Sequence, residues 1–546
     1  MMIGPAAACS CILRGEWPWS AVMRVCFHWM LLLLVGSIPP AAAAPAPDTV
    51  AVLYNSAVPE SLKLAEFYRQ ARDIPADHLI GLEMPAERDI SRDDYEQKIA
   101  GPLRDEFDRR GWWKRGRDAK GVVVPLSNRI EVLVTMRGVP LRIKPTADAT
   151  RDESAGAKTP NDPVARRNEA SVDSELAMFG VEGLPIAGVL RNFHHHASGK
   201  PGDVRVPAQV MTARIDASSH AICERMIRDA VETEKTGLWG MAYVDIANKF
   251  PEGDAWLENV VKANLKSGIP TVVDRFNQTL PKNYPMGAAA LYHGWYDHHV
   301  SGPFLNPQFR FRRGAVAMHL HSFSAEQLGD LRKNWCAALL ERGAAVTVGN
   351  VYEPYLHLTH DFGILHRRLL EGFSWVEACW MAMPVTSWQA VVLGDPLYRP
   401  FLHFAGSGER RKEDRDFRAL RAAMLQWPGD AETRYNKFEE AARSTQSGFF
   451  AEAAGLDMLG SGQRARALAM FQLAKTTFAS STDKMRQDFH IAASDRAAGR
   501  NDIALRTLRD AQMRYPAIPE AAALAEWILI LDPPPPPPPP AAAPGR

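Results

Sequence analysis

The sequence predicts an α/β protein, with a mostly parallel sheet covered by helices on both faces and an all-helical region after it. Short β-branched runs alternate with amphipathic helical runs from Thr49 to about Phe404, which is the pattern of such a sheet. Several of these runs are apolar almost throughout, as is typical of strands buried on both faces. After the polar stretch 405–416 the pattern is helical only, so a new region is predicted there.

The alternation begins with a βαβ unit, which is predicted to be parallel and right-handed. In this first half, strands are predicted at residues 50–55, 79–84 and 130–143, and helices at 61–74 and 94–111. Residues 144–231 are mostly polar. They are predicted to form an insertion packed on one edge of the α/β domain, which spans residues 49–404.

The alternation resumes after the insertion. Strands are predicted at 237–246, 270–276, 288–295, 314–324 and 344–352, and helices at 254–268 and 325–342. In open α/β sheets the ligand crevice lies beyond the carboxyl ends of the strands. Residues that directly follow these strands are therefore the first candidates for a functional site.

Residues 1–44 are predicted to be a secretory signal peptide. Two arginines precede the apolar run 30-MLLLLVGSI-38, and small residues ending at Ala44 follow it, as at a cleavage site. Met23 is an alternative start to Met1. The run is shorter than the roughly 20 residues of a transmembrane helix, so a retained anchor is the weaker alternative and no span is predicted after cleavage. The predicted location is the periplasm or cell envelope, with release to the outside as an alternative.

The C-terminal region, residues 417–531, is predicted to be helical after a linker at 405–416. The segments 462-GQRARALAMFQLA-474 and 499-GRNDIALRTLRDA-511 align with a period near the mid-thirties, which resembles tetratricopeptide hairpins. An ordinary helical bundle is the alternative. Stacked hairpins of this kind present a binding surface, so a protein partner is predicted for this region. The proline-rich tail, 532–546, is predicted to be an extended spacer or disordered.

Charge and cysteine content exclude two classes of protein. The 546 residues carry a formal net charge of +1, with Lys+Arg 64 against Asp+Glu 63, so nucleic acid is not a predicted partner. After signal cleavage the cysteines are Cys223, Cys336 and Cys379, an odd number that cannot form a complete disulfide framework. Cys336 and Cys379 lie on apolar helical patterns and are predicted to be buried thiols.

A first candidate site is a hydrolase dyad. His293, followed by glycine, ends one predicted strand, and the next strand ends in 320-LHSFSA-325. Ser322 or Ser324 is a candidate nucleophile if His293 or His321 lies within hydrogen-bond reach, because a serine hydroxyl needs a base to be nucleophilic. The alternative is that the serines satisfy backbone groups, with Ser324 as the N-cap of the helix that begins at residue 325.

This order of residues resembles the caspase and gingipain-like peptidases, in which a His-Gly pair ends one strand and the nucleophilic cysteine ends the next. The segment 387-SWQAVVLGDPLYRPF-401 resembles the Gly-Asp-Pro segment that ends the gingipain-like catalytic domain. The resemblance covers residues 237–401 and implies a caspase-like sheet, with a flavodoxin-like sheet as the alternative. The serines stand where the peptidases have cysteine, so the resemblance implies a peptidase fold without its nucleophile.

A second candidate site is a divalent metal such as zinc. His319 and His321 are two residues apart and therefore share a face of their strand. Asp297 and His298 follow the neighbouring strand, so four nitrogen and oxygen ligands could converge there. The alternative is that the strand carries partly buried, hydrogen-bonded imidazoles. No cofactor other than this metal is predicted.

A third candidate is a ligand site built from other polar residues at strand ends. Arg137, Asp245, Arg275 and Glu353 occupy such positions, the last within 349-GNVYEPYLHLTH-360. The arginines suit a carboxylate or phosphate, because a guanidinium binds these groups with two parallel hydrogen bonds. The alternative is that they pair with Asp245 or Asp274 inside the protein. Nucleotide binding lacks its usual glycine-rich cradle in this chain.

A longer resemblance covers about residues 49–404. The segments 50-VAVLYN-55, 134-VTMRGVPLRI-143, 292-YHGWYD-297 and 348-VGNVYEPYL-356 resemble an uncharacterised family of exported bacterial proteins found in genomes that carry exosortase. The resemblance implies an envelope setting and no known reaction. The resulting hypothesis is a binding or assembly factor linked to exosortase-type protein sorting. The alternative is a hydrolase, either peptidase-like with Ser322 or Ser324 and His293, or metal-dependent.

Overall fold

A computed structural model describes residues 45–146, 163–197, 199–200 and 206–535. The predicted signal peptide lies outside the described residues, as does the proline-rich tail after residue 535. Within them, the chain is an α/β protein followed by an all-helical region, which confirms the predicted fold class.

The secondary structure elements follow the predicted alternation. The strands β1 to β17 span Val50–Asn55, Leu79–Leu82, Asp89–Ile90, Trp113–Arg117, Val123–Asn128, Val132–Met136, Arg142–Ile143, Ala170–Ser171, Leu190–Arg191, Met211–Ile215, Met241–Asp245, Thr271–Asp274, Ala289–Gly294, Val316–His319, Thr347–Asn350, Val385–Thr386 and Ala390–Leu393. The helices α1 to α16 span Pro59–Ala71, Arg92–Tyr95, Gly101–Arg110, Val172–Leu176, His220–Thr236, Pro251–Ser267, Cys336–Glu341, Phe362–Leu370, Trp375–Ala382, Arg415–Gln426, Ala431–Thr445, Gly448–Gly460, Arg464–Thr477, Ser481–Ala497, Asn501–Arg514 and Ala522–Leu531.

Two large sheets make up the α/β part. One has the order β15-β17-β10-β6-β1-β2 and the other the order β12-β11-β13-β14. A parallel bridge between Val316 and Val346 connects β14 to the residue before β15, so the two sheets continue into each other. Neighbouring strands are parallel, as in the predicted βαβ unit of β1, α1 and β2, except for the antiparallel pair β15 and β17.

This antiparallel pair reverses the direction of the strands in the middle of the molecule. The carboxyl ends of β11 to β15 therefore lie at one end of the sheet, here called the β13 end. The carboxyl ends of β1, β2, β6, β10 and β17 lie at the opposite end, here called the β10 end. Residues that directly follow β6, such as Arg137, and residues that directly follow β15 therefore begin at opposite ends of the sheet.

The predicted insertion at 144–231 is too long. Its residues 211–215 form β10, which lies between β6 and β17 inside the six-stranded sheet, and α5 begins at His220. The strand has polar residues at Thr212 and Arg214, which hide it in the sequence pattern. Arg214 is fully buried nevertheless, because its guanidinium is paired with the carboxylate of Asp173.

The helix predicted at 325–342 is also corrected. Only Cys336–Glu341 is helical, and residues 325–335 form turns. Ser324 is therefore not an N-cap. Its hydroxyl accepts a hydrogen bond of 3.1 Å from the backbone N–H of Asn350 instead, which connects the end of β14 to β15. The predicted buried thiols are confirmed, since Cys336 and Cys379 are free and buried.

The helical region packs directly against the sheet and does not stand apart from it. The described residues from 45 to 535 belong to one compact unit. The stretch predicted as a linker contains Asp414, which forms an ion pair with Arg312 of the α/β part. Arg496 of α14 lies 3.6 Å from the centre of the Phe276 ring, just after β12. No helix among the described residues is long and apolar enough to cross a membrane.

Candidate functional site

A cavity of about 260 Å³ opens at the β13 end of the sheet, where the sequence predicts the ligand crevice. The segments that follow β13, β14 and β15 line it, together with Phe250 before α6. This space is called the crevice cavity below. It brings together three of the predicted residues, His321, Ser322 and Glu353.

Aromatic side chains form much of its lining. The rings of Phe250, Trp295 and Tyr296 pack on one another with centroid distances of 5.5 to 5.9 Å. The Trp295 indole N–H donates to the Asp254 carboxylate at 2.9 Å, which fixes the orientation of the ring. Phe250 is 48% exposed and therefore reaches the surface beside the cavity.

Two buried polar side chains also line the cavity, Asn350 at the end of β15 and Thr359 before α8. The Asn350 amide donates to the Thr359 hydroxyl at 3.0 Å, and the hydroxyl donates to the amide oxygen at 3.1 Å. Each group uses only part of its hydrogen-bonding capacity in this pair. The pair is a fixed donor and acceptor inside a mostly apolar cavity.

Tyr355 lines the cavity in a strained backbone conformation, with φ 62° and ψ 141°. Such a conformation costs a non-glycine residue roughly 1–3 kcal/mol and is concentrated at functional sites. Glu353 and Arg167 hold Tyr355 in this conformation. The Glu353 carboxylate accepts a hydrogen bond from the Tyr355 backbone N–H at 3.0 Å. Arg167 donates to the Glu353 carbonyl at 2.7 Å and lies 5.7 Å from the Tyr355 ring.

The predicted dyad of His293 with a serine is not formed. His293 is fully buried, with its ring 5.0 Å from that of His366 and 6.3 Å from that of Phe362 on α8. Neither ring nitrogen has a hydrogen-bond partner among the described residues, and burial lowers its pKa well below the usual value. Ser324 is buried, and its hydroxyl is engaged by the backbone of β15.

Ser322 lines the crevice cavity, beside His321. The His321 Nδ1 lies 2.5 Å from the backbone carbonyl oxygen of Ser322, so it is directed at the main chain and not at the hydroxyl. Burial lowers the pKa of His321 from its usual value. A serine without a base directed at its hydroxyl is a hydrogen-bonding group and not an activated nucleophile.

The residues predicted to bind zinc have other contacts. The His319 ring stacks on Trp335 with a centroid distance of 3.3 Å, and its Nδ1 lies 3.1 Å from the Tyr292 hydroxyl. Asp297 accepts from a threonine hydroxyl, and the His298 ring lies 4.9 Å from the His321 ring. In the part of the chain that the structure describes, no three His, Cys, Asp or Glu side chains are placed to hold a metal ion.

The predicted ligand residues lie in different places. Arg137 is at the β10 end, where its guanidinium is 3.7 Å from the carboxylate of Asp216. Arg275 forms two hydrogen bonds, of 2.7 and 3.0 Å, with Glu258 on the surface. Both arginines thus pair with acidic residues, but the partners are Asp216 and Glu258 and not Asp245 or Asp274, which the alternative named. Glu353 alone of this set lines the crevice cavity.

The fourth residue of the set, Asp245, is buried beside Asp274. The two are paired in register at the ends of β11 and β12, so their side chains share one face of the sheet. Burial and the neighbouring carboxylate raise the pKa of Asp245 well above its usual value, and burial raises the pKa of Asp274 to about 7. The pair therefore retains a proton under conditions in which exposed carboxylates have lost theirs.

Sequence reasoning found the position of the cavity but missed most of its lining. Trp295 and Tyr296 directly follow His293-Gly294, and Asn350, Tyr355 and Thr359 all lie in the singled-out segment 349–360. Most of the predicted site residues are charged residues or histidines, whereas the side chains that line the cavity are mainly aromatic and neutral. The lining could have been located in the sequence from the aromatic residues that immediately follow each strand.

Comparisons with known proteins add little. No family model matches the chain, and no curated protein matches it. A solved structure described as "Structure of Protease" is similar to it, with 11% sequence identity and a TM-score of 0.36, over 65% of this chain and 78% of that chain. A similarity at this level carries no argument about the fold or the chemistry of this protein.

Proposed function

We propose that this protein is an exported binding or assembly factor of the cell envelope, acting in the setting of exosortase-type protein sorting. In this proposal the crevice cavity holds a ligand, and the helical region holds a protein partner, as tetratricopeptide-like hairpins do. The envelope setting is supported by the apolar N-terminal run and by the resemblance over residues 49–404.

The strained Tyr355 in the lining of the crevice cavity carries the binding proposal. A fold keeps such a costly conformation when the surrounding contacts determine it, and Glu353 and Arg167 supply those contacts here. The cavity also has the usual composition of a ligand pocket, with aromatic walls and a few fixed polar groups. These features are expected of a binding site whether or not the protein is an enzyme.

The arrangement of the histidines and serines favours binding over catalysis. His293 contacts neither Ser322 nor Ser324 through a hydrogen bond, and Ser324 has its hydroxyl engaged. Hydrolysis by Ser322 remains the competing function, because this residue lines the cavity next to an imidazole. It requires His321 to turn from the backbone carbonyl to the hydroxyl.

A fluorophosphonate probe distinguishes the two functions. The chain from residue 44 onward is incubated with the probe, and the intact mass and the peptide carrying residues 320–325 are measured. We expect no adduct on Ser322 or Ser324, at a probe concentration that fully labels a known serine hydrolase in the same tube. An adduct on Ser322 that is lost in the His321→Ala variant would show an activated nucleophile and overturn the binding proposal.

Export has its own test. The full chain is expressed with a C-terminal tag in a Gram-negative host, and the periplasmic fraction is analysed by intact mass. We expect a processed chain that begins near Ala44 or Pro45, and a cytoplasmic chain when residues 1–44 are deleted. An unprocessed full-length chain in the cytoplasm would contradict the envelope part of the proposal and leave the ligand-binding part to the other experiments.

A further inference from the structure

We propose that the crevice cavity binds one ring of a neutral saccharide. This inference rests on the proposed binding function and names the class of ligand. It follows from three properties of the lining, namely its charge, its aromatic walls and the buried pair of neutral polar side chains.

The charge of the lining disfavours an anion and gives a cation little to bind. Glu353 is the one acidic or strongly basic side chain among the described lining residues, and burial of His321 favours its neutral form. A phosphate or carboxylate would therefore meet a carboxylate in a poorly solvated space. The Glu353 carboxylate already accepts the Tyr355 N–H, and the Arg167 guanidinium is bound to the carbonyl of the same residue. Arg167 is itself ion-paired with Glu169, so the Tyr355 N–H is the contact that engages the Glu353 carboxylate.

The aromatic walls suit a flat ring with apolar faces. Tyr296 and Tyr355 are partly exposed, and Phe250 lies beside them at the surface. Large aromatic side chains bury much apolar area at little entropic cost, and their negative ring faces attract the weakly positive C–H groups of a saccharide ring. Trp295 adds a ring that is held in place by Asp254.

The Asn350 and Thr359 pair supplies the directional contacts. After their mutual hydrogen bonds, one N–H and one oxygen lone pair of the Asn350 amide have no partner among the residues that the structure describes. Adjacent hydroxyl groups on a saccharide ring both donate and accept, so they satisfy such an amide, whereas an apolar ligand would leave it unpaired at a cost. Ser322 offers one more hydroxyl at the same cavity.

The size of the cavity limits the ligand to one ring. Its volume is about 260 Å³. Pockets for drug-sized ligands begin at about 300 Å³, so an extended oligosaccharide would have one unit inside and the rest at the surface. Phe250, which is 48% exposed, is placed to contact a second unit outside the cavity.

The test uses saturation-transfer NMR followed by calorimetric titration on the chain from residue 44 onward. The neutral probes are glucose, galactose, mannose and N-acetylglucosamine, and the charged probes are choline and glucose 6-phosphate. We expect at least one neutral probe to bind. Its affinity should fall by about tenfold or more in Asn350→Ala, because one or two hydrogen bonds are lost, and in Tyr355→Ala. The control is Phe193→Ala, which removes an exposed aromatic ring away from the cavity.

Each other outcome overturns the saccharide inference. Binding of choline alone would assign the cavity to a cation, and binding of glucose 6-phosphate alone would assign it to an anion. Absence of binding by every probe contradicts it as well, and so does sugar binding that survives both cavity variants. None of these results decides between binding and catalysis. The reaction of Ser322 with the fluorophosphonate decides that question separately.

Discussion

The two ends of the sheet use polar residues in opposite ways. At the β10 end, the buried Arg214 donates to the Asp173 carboxylate at 2.8 and 2.9 Å and to the carbonyls of Val139 and Pro140 at 2.8 Å. At the β13 end, oxygen or nitrogen atoms of Asp245, His293 and His319 have no hydrogen-bond partner among the described residues. One oxygen of Asp216 at the β10 end also lacks a hydrogen bond, but the guanidinium groups of Arg88 and Arg137 lie 3.8 and 3.7 Å from it.

This difference shows which end is structural and which is free to bind. The Arg214 guanidinium and the Asp173 carboxylate saturate each other, so a ligand there would have to displace an internal ion pair. At the β13 end the unpaired atoms and the crevice cavity leave capacity for water or a ligand. Charge in the sequence is therefore a poor guide to function in this fold, because the fully buried arginine of the sheet, Arg214, is at the structural end.

The largest expected effect comes from breaking the ion pair of the β10 end. Arg214→Met leaves the Asp173 carboxylate buried and unpaired, which should lower the free energy of unfolding by roughly 3–5 kcal/mol. Urea unfolding followed by circular dichroism measures the loss. The matched control is Arg275→Ala, which removes an exposed pair with Glu258 and should cost less than about 1 kcal/mol.

A second variant keeps this prediction decisive if Arg214→Met does not fold. The double variant Arg214→Met with Asp173→Leu removes both charges and should recover much of the lost stability, since apolar residues often replace a buried ion pair without cost. If the single variant is as stable as the wild type, the β10 end is not held by this pair and the contrast between the ends fails.

A smaller effect, dependent on pH, is expected at the β13 end. The pKa of Asp274 is raised to about 7 when folded and returns to about 3.9 when unfolded. Between about pH 4 and 7, Asp274 holds a proton in the folded chain that it has lost in the unfolded chain. The free energy of unfolding is therefore unaffected by this group below about pH 4 and falls as the pH rises to about 7. Asp274→Asn removes this loss of stability. The free energy of unfolding of the variant, relative to that of the wild type, should therefore increase by up to about 1.4 kcal/mol per pH unit between about pH 4 and 7.

Urea unfolding of both proteins at pH 4.5, 6, 7 and 8 measures this gain. Above pH 7 the gain should grow further only through Asp245, because the ionised Asp274 raises the pKa of that neighbouring carboxyl in the wild type. A difference that does not change with pH would mean that the Asp245 and Asp274 pair is solvated and ionised, like any exposed carboxylates. The β13 end would then be an open polar surface without a buried acid pair.

The sequence predicted the elements of the fold better than their directions. Alternation of apolar runs located β11 to β15 and the crevice after them, because burial on both faces leaves a clear pattern. It could not show that β15 and β17 pair antiparallel, which places Arg137 at the other end of the sheet from Glu353. Strand direction depends on contacts distant in sequence, and no local pattern records it.

The separation of His293 from another predicted site residue, His319, has a similar origin. His293 and Gly294 are neighbours on β13, and Gly294 pairs in register with His319 on β14. Side chains alternate between the faces of a strand, so His293 and His319 lie on opposite faces of the sheet. The spacing of the two histidines along the chain is visible in the sequence, but only the register between the two strands decides whether they can share a site.

The smallest expected effect tests the strain at the crevice cavity. Tyr355→Ala and Tyr355→Gly both remove the ring, but only glycine adopts a φ of 62° without steric cost. The glycine variant should therefore be more stable than the alanine variant by about 1–2 kcal/mol. The control pair is Leu356→Ala and Leu356→Gly, at the next residue, which is the first of a 3-10 turn. There the glycine variant should be less stable than the alanine variant by roughly 0.5–1 kcal/mol. Equal stabilities for the two Tyr355 variants would show that no strain is stored there, and the crevice cavity would then differ from the β10 end only in its unpaired polar atoms.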